Sequence, residues 1–150
     1  MVWWIALACT GDGADDESGM ATDSVSIPID DIAGWIATGE YQSWQSGELH
    51  PTLGNHFGNV LAHFSPSLVE SLEAGNELHP VGAAAVKELY GYEGKEVLGH
   101  AVIVRTGEGT TSKDWYWYEL YEGEIFADSH GDADCSLCHS GGVDFVISKP

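Results

Sequence analysis

Three β-rich stretches follow one another between residues 82 and 122, and they constrain this chain more than anything else in it. "GAAAVKELY" runs from Gly82 to Tyr90, "EVLGHAVIVRT" from Glu96 to Thr106 and "DWYWYELYE" from Asp114 to Glu122. β-branched and aromatic residues dominate the last two, and "TGEGTTSKD" between them reads as a loop. Connections this short favour antiparallel pairing of successive strands. Upstream, two helices are predicted. In "IDDIAGWIATG", Ile29, Ile32, Trp35 and Ile36 recur at helical spacing, Asp30 and Asp31 come early and Gly39 is a stop. In "SPSLVESLEAG", Ser65 can cap, Pro66 fits the first turn, Leu68, Val69 and Leu72 share a face, and Gly75 ends the helix. The expected fold class is therefore α+β: an antiparallel sheet with packed helices, followed by a C-terminal segment that holds two cysteines.

The first 26 residues are of another kind. A short apolar run, Val2 to Ala8, meets Cys9 through Ala-Leu-Ala-Cys, and an acidic, glycine-rich stretch follows. This resembles a bacterial lipoprotein signal, in which the cysteine becomes the lipidated first residue of the mature protein. The run is too short to span a bilayer and lacks the basic n-region of a secretory signal. Residues 10–26 have almost nothing apolar to bury and read as a disordered tether. Three units are expected: a signal over 1–9, the tether over 10–26, and one domain over 27–150. The expected location is the periplasm or cell envelope, with membrane contact only through the lipid on Cys9.

Charge narrows the partners. Twenty-four acidic residues against five basic ones give a formal net charge of −19. Like charge repels nucleic acid and anionic membrane surfaces, and there is no basic stripe to bind either. A basic protein partner or a salty medium suits such a surface, and an ordinary solvated surface is the simpler reading of it.

With Cys9 assigned to the anchor, Cys135 and Cys138 remain as a pair in "CSLCHSGGVDFV" (135–146). On a helical turn both thiols project to one side and His139 follows immediately. That spacing lets two thioethers fix haem vinyl groups while the imidazole reaches the iron. A zinc site would need two further ligands at similar local spacing, and no other His forms a tight pair with a His or Cys. A thioredoxin-type pair should follow an early strand of a βαβ pattern, which is absent. One covalent haem c, axially bound by His139, is the cofactor this motif favours. The only methionines, Met1 and Met20, lie in the leader and tether, so a His/Met electron carrier would require the tether to fold back. The iron is then five-coordinate or bis-histidine, with His50, His56, His63, His79, His100 and His130 as candidate second ligands. Five-coordinate iron, open to a small molecule, is the expectation.

At this point the chain resembles the cytochrome P-460 and cytochrome c′-beta family over roughly residues 30 to 147. "YQSW" (41–44) is similar to its Tyr-x-x-Trp helix end. "NHFGNVLAHFSP" (55–66) resembles its His-x-x-x-Val segment leading to a strand and a Pro-started helix. "GAAAVKEL" (82–89) and "DWYWYELY" (114–121) resemble two of its strands, and "CSLCHSGGVDFV" its haem-attachment end. The resemblance implies a sheet-rich α+β fold, a homodimer, an open site above a His-ligated haem and a redox partner protein. It also places Lys87 at the lysine that the P-460 branch crosslinks to a haem meso carbon. Ala83, Ala85, Lys87 and Leu89 share one strand face, and a lysine desolvated there would have a lowered pKa and a nucleophilic neutral form.

Two departures bear on activity. Ala101 falls where hydroxylamine-oxidising members carry a distal glutamate, and Val60 where they carry a pocket arginine. His100 is aimed by strand alternation at the opposite face. Oxidation of a small nitrogen compound such as hydroxylamine, with slow turnover, is the implied activity. The alternatives are a gas-binding protein of the c′-beta type, taking nitric oxide or carbon monoxide, and a simple electron carrier. The N-terminal reading makes its own prediction. The native protein should partition into detergent and Cys9→Ser should not, whereas unlipidated protein starting at Met1 or Val2 in membrane-free periplasm would refute it.

Overall fold

The structure is a computed structural model and describes residues 26–150 apart from 53 and 57. Cys9, the signal and all of the tether except Ser26 lie outside the described residues. Ten regular elements follow in chain order. They are α1 (Ile32–Thr38), β1 (Gln45–Ser46), β2 (His50–Pro51), β3 (Asn59–Phe64), α2 (Pro66–Glu73), β4 (Ala84–Gly91), β5 (Gly99–Arg105), β6 (Trp115–Tyr121), β7 (Glu124–His130) and α3 (Ala133–His139). The strands form one antiparallel sheet of seven, in the order β1-β3-β4-β5-β6-β7 with β2 also against β3. The α+β expectation holds, and the three predicted strands become β4, β5 and β6.

Local chemistry sets both predicted helices. The Asp31 carboxylate accepts from Gly34 N–H at the start of α1, and Gly39 ends it at φ 73°. Ser65 Oγ accepts from the N–H groups of Leu68 and Ala84, so one hydroxyl caps α2 and fastens it to β4. Leu68 is fully buried, with Val69 and Leu72 packed beside it.

Alternation along the strands builds one larger core on each sheet face, with a third, small cluster of Val60, Leu89 and Ala101 on the second. On the first, Ala84, Val86, Val102, Val104 and Tyr118 meet Ile32 and Trp35 of α1 and Tyr41 just after it. On the second, Phe64, Ala85, Trp115 and Trp117 meet Leu68 of α2 and Val146 of the C-terminal segment. That segment is anchored by a buried ion pair. The Asp144 carboxylate accepts from Arg105 Nη1, from the backbone N–H of His79 at 2.9 Å and from Trp115 Nε1 at 3.3 Å. The Arg105 guanidinium also lies over the Trp115 ring and donates to the Gly109 carbonyl. Breaking one side of such a pair leaves an uncompensated buried charge, at a cost of about 3–5 kcal/mol. Asp144→Ala should lose about that much in urea unfolding; a loss under about 1 kcal/mol would mean that water replaces the pair.

Candidate functional site

One row of residues crosses the sheet on its second face. The registers align Ala62 with Lys87, Lys87 with Ala101, Ala101 with Glu119, and Glu119 with Ala127. Three alanines leave the sheet surface low, and the space above it is a cavity of about 720 Å³. That size is within the range of small-molecule and cofactor sites, about 300–1,000 Å³. Val60, Phe64 and Trp117 supply apolar wall, and the opposite side is closed by Cys135, Cys138 and His139. The sequence motif and the Lys87 strand, 48 residues apart in the chain at their nearest, thus face one space.

Helix α3 presents the motif. Asp132 caps it, accepting from Asp134 N–H and Cys135 N–H at 3.1 Å each. Cys135 is half-buried against the second core, and Cys138 is exposed; both are free thiols. Burial, then the hydrogen bond to Asp132, pushes the Cys135 thiol up to about 12, so it stays protonated at neutral pH. Disulfide exchange works through thiolate, which this environment opposes. Among the described residues, no three His, Cys, Asp or Glu side chains gather as a metal-ion site.

His139 is buried and oriented. Its Nδ1 lies 2.8 Å from the Phe145 carbonyl, which can only accept, so Nδ1 carries the hydrogen and Nε2 keeps the lone pair. The Trp117 ring stands edge-on to it at 5.1 Å. Burial, then the nearby Lys87 amine, lowers His139 to about 4. Neutral imidazole with Nδ1 tied to a carbonyl is the form that ligates a metal through Nε2. Two thiols and this imidazole at the wall of an apolar cavity fit a covalently attached haem.

Lys87 is half-buried on the cavity face, with Ala85 beside it along β4. Desolvation lowers its pKa to about 8, opposed in part by the Glu119 carboxylate. Ala83 lies just before the strand begins, buried in the second core. Val60 and Ala101 both reach the cavity as apolar wall.

Glu119 is the residue that reading by position passed over. It is buried on the cavity face directly opposite Ala101, and its Oε2 accepts from His56 Nδ1 at 3.0 Å. A carboxylate therefore stands in the cavity after all, supplied by the neighbouring strand. Its signal was parity: Glu119 shares its face with Trp115 and Trp117. Of the other histidines, His50 also lines the cavity, exposed and bonded to the Pro51 carbonyl. His63 and His100 lie on the opposite face around Tyr41 and Glu88, as alternation predicted for His100. His79 bonds Ser71, and His130 stands near Thr106 and Tyr116.

No protein-family model matches the chain, and no curated protein matches it either.

The Lys87 environment is directly measurable. In competitive acetylation of the apoprotein, the peptide containing Lys87 should reach half its limiting reactivity near pH 8. An unperturbed lysine does so near about 10.4, and that value at Lys87 would contradict a desolvated amine.

Proposed function

We propose that this protein is an exported mono-haem c-type cytochrome whose haem lies in the cavity over the Lys87–Ala101–Glu119 row. In this reading Cys135 and Cys138 are the thioether attachments and His139 is the axial ligand. The observation that carries it is the convergence of the two thiols and the Nδ1-tethered imidazole on a cavity built over alanines. When bound, the haem would supply an electron-accepting iron at which a small nitrogen compound such as hydroxylamine or nitric oxide is held. The protein's residues do the rest. Phe145 fixes the His139 ring, while Val60, Phe64 and Trp117 keep water from the apolar wall. Glu119 stands in the cavity as a carboxylate that could take a substrate proton, a role worth typically about a hundredfold or more in rate. Lys87, neutral in part near pH 8, is the amine placed to bond the macrocycle, as the resemblance to the P-460 branch implies.

The apolar wall at Val60 and Ala101 favours the second reading, a gas-binding protein without a crosslink. In both readings the acidic surface suits a basic redox partner, and the resemblance implies a homodimer.

Protein matured in a cytochrome c-competent periplasm should keep peroxidase-active haem on a denaturing gel, and a Cys135→Ala, Cys138→Ala variant should lose it. Retention by the double variant would refute the attachment. The same sample separates the two readings. A ferrous Soret band far to the red of ordinary haem c, with haem mass on the Lys87 peptide, marks the crosslinked oxidase. An ordinary Soret band with tight nitric oxide binding and no hydroxylamine turnover marks the gas binder.

A further inference from the structure

His56 and His139 form an arrangement that the proposed function does not use. The two ring centroids lie 6.2 Å apart, with the ring planes nearly perpendicular at 85°. Metal–imidazole bonds of about 2.0–2.1 Å, with about 1.1 Å more from nitrogen to ring centre on each side, put two rings that grip one ion about 6.2–6.4 Å apart. The separation therefore matches two imidazoles on opposite sides of a single metal.

Hydrogen bonding prepares both rings in the same way. His139 spends Nδ1 on the Phe145 carbonyl, and His56 spends Nδ1 on the Glu119 carboxylate. Each is left with Nε2 as the nitrogen bearing a lone pair. A carboxylate–histidine pair of this kind fixes ring orientation and raises ligand basicity. The pairing is shielded, with side-chain exposures of 18% for His56 and 9% for Glu119. His50, the other cavity histidine, is exposed, and its Nδ1 meets the Pro51 carbonyl rather than a carboxylate. Position in the chain adds a further property. His56 belongs to no strand and stands in the connection between β2 and β3, whereas His139 ends a capped helix. The two candidate ligands thus stand on unlike supports, a connecting segment and a helix end.

We infer that His56 is the second axial ligand of the resting haem, held by Glu119 and exchangeable for a small molecule. This rests on haem attachment at Cys135, Cys138 and His139. Exchange breaks the bond from iron to His56 Nε2 and forms one to the incoming ligand, with no change of oxidation state. Once displaced, His56 remains bonded to Glu119 beside the ligand. A ligand that must displace His56 binds with an affinity reduced by the fraction of molecules already open.

The experiment uses the matured, haem-loaded full chain at neutral pH, read by ferric absorption and electron paramagnetic resonance spectra. Wild type should be low-spin, and His56→Ala should be high-spin. Added imidazole should return His56→Ala to low-spin, and azide should bind that variant on the order of tenfold or more tightly than wild type. Glu119→Gln should stay low-spin but bind azide more tightly than wild type. A high-spin wild type would overturn the proposal without recourse to any variant. So would a His56→Ala protein that is still low-spin and becomes high-spin only when Lys87→Ala is added, which would assign the ligand to Lys87. Haem staining on a denaturing gel keeps the two failures apart. Loss of stain in wild type refutes the attachment, while retained stain with a high-spin iron refutes only His56.

Discussion

The buried pair between Arg105 and Asp144 governs how the C-terminal segment meets the sheet. Asp144 reaches into the second core and collects Arg105, Trp115 and the His79 backbone around one carboxylate. Its neighbour Phe145 is thereby held at a φ of 65°, a value L-residues seldom adopt, and it is the Phe145 carbonyl that orients His139. The ring of the proposed axial ligand is thus positioned by a charge interaction one residue from its hydrogen-bond partner. Buried pairs of this type seldom add much net stability over an apolar alternative. Here the pair gives a geometric result that an apolar contact would not, because Asp144 accepts directed bonds from two strands and from the connection between α2 and β4.

Much of this arrangement was legible in the sequence. β-branched and aromatic density marked β5 and β6, and Ser65, Pro66 and Gly75 marked α2, because those signals are local. The edge strand β7 was not seen. Its "EIFADSH" is exposed at every position except Ala127, so no hydrophobic alternation announces it. β3 emerged from the family resemblance rather than from its own pattern, since "NVLAHF" is buried at four of six positions and shows no simple period. For the site, the motif and Lys87 could be singled out, but their meeting could not. It depends on a tertiary approach of α3 to β4 that no local pattern encodes. Glu119 was missed for a related reason. A carboxylate was sought at position 101 of one strand, and the register places one at the same level of the next.

The opposite face shows what the sheet does with polar groups it keeps from the cavity. Glu88 accepts from the hydroxyls of Tyr41 at 2.9 Å and Tyr90 at 2.7 Å, with His63 and His100 close by. Burial alone would raise the Glu88 carboxyl, but the bonds from Tyr90 and Tyr41 outweigh it and hold the pKa below its usual value. This cluster backs β4 directly behind the amine of Lys87. A strand carrying an ionisable group on each face has little freedom to rotate, since either turn would strip one group of its surroundings.

Neighbours in the chain, Lys87 and Glu88 occupy opposite sides of one sheet, and their assignment rests on parity alone. Inserting or deleting a single residue in β4 would exchange them, sending the amine into the aromatic core and the carboxylate over the cavity floor. Substitutions, which preserve the count, spare that arrangement; length changes do not. Lineages carrying this site should therefore tolerate drift in residue identity along β4 while holding its length fixed, and should take up their insertions in the 107–113 connection, where an added residue changes no strand's phase.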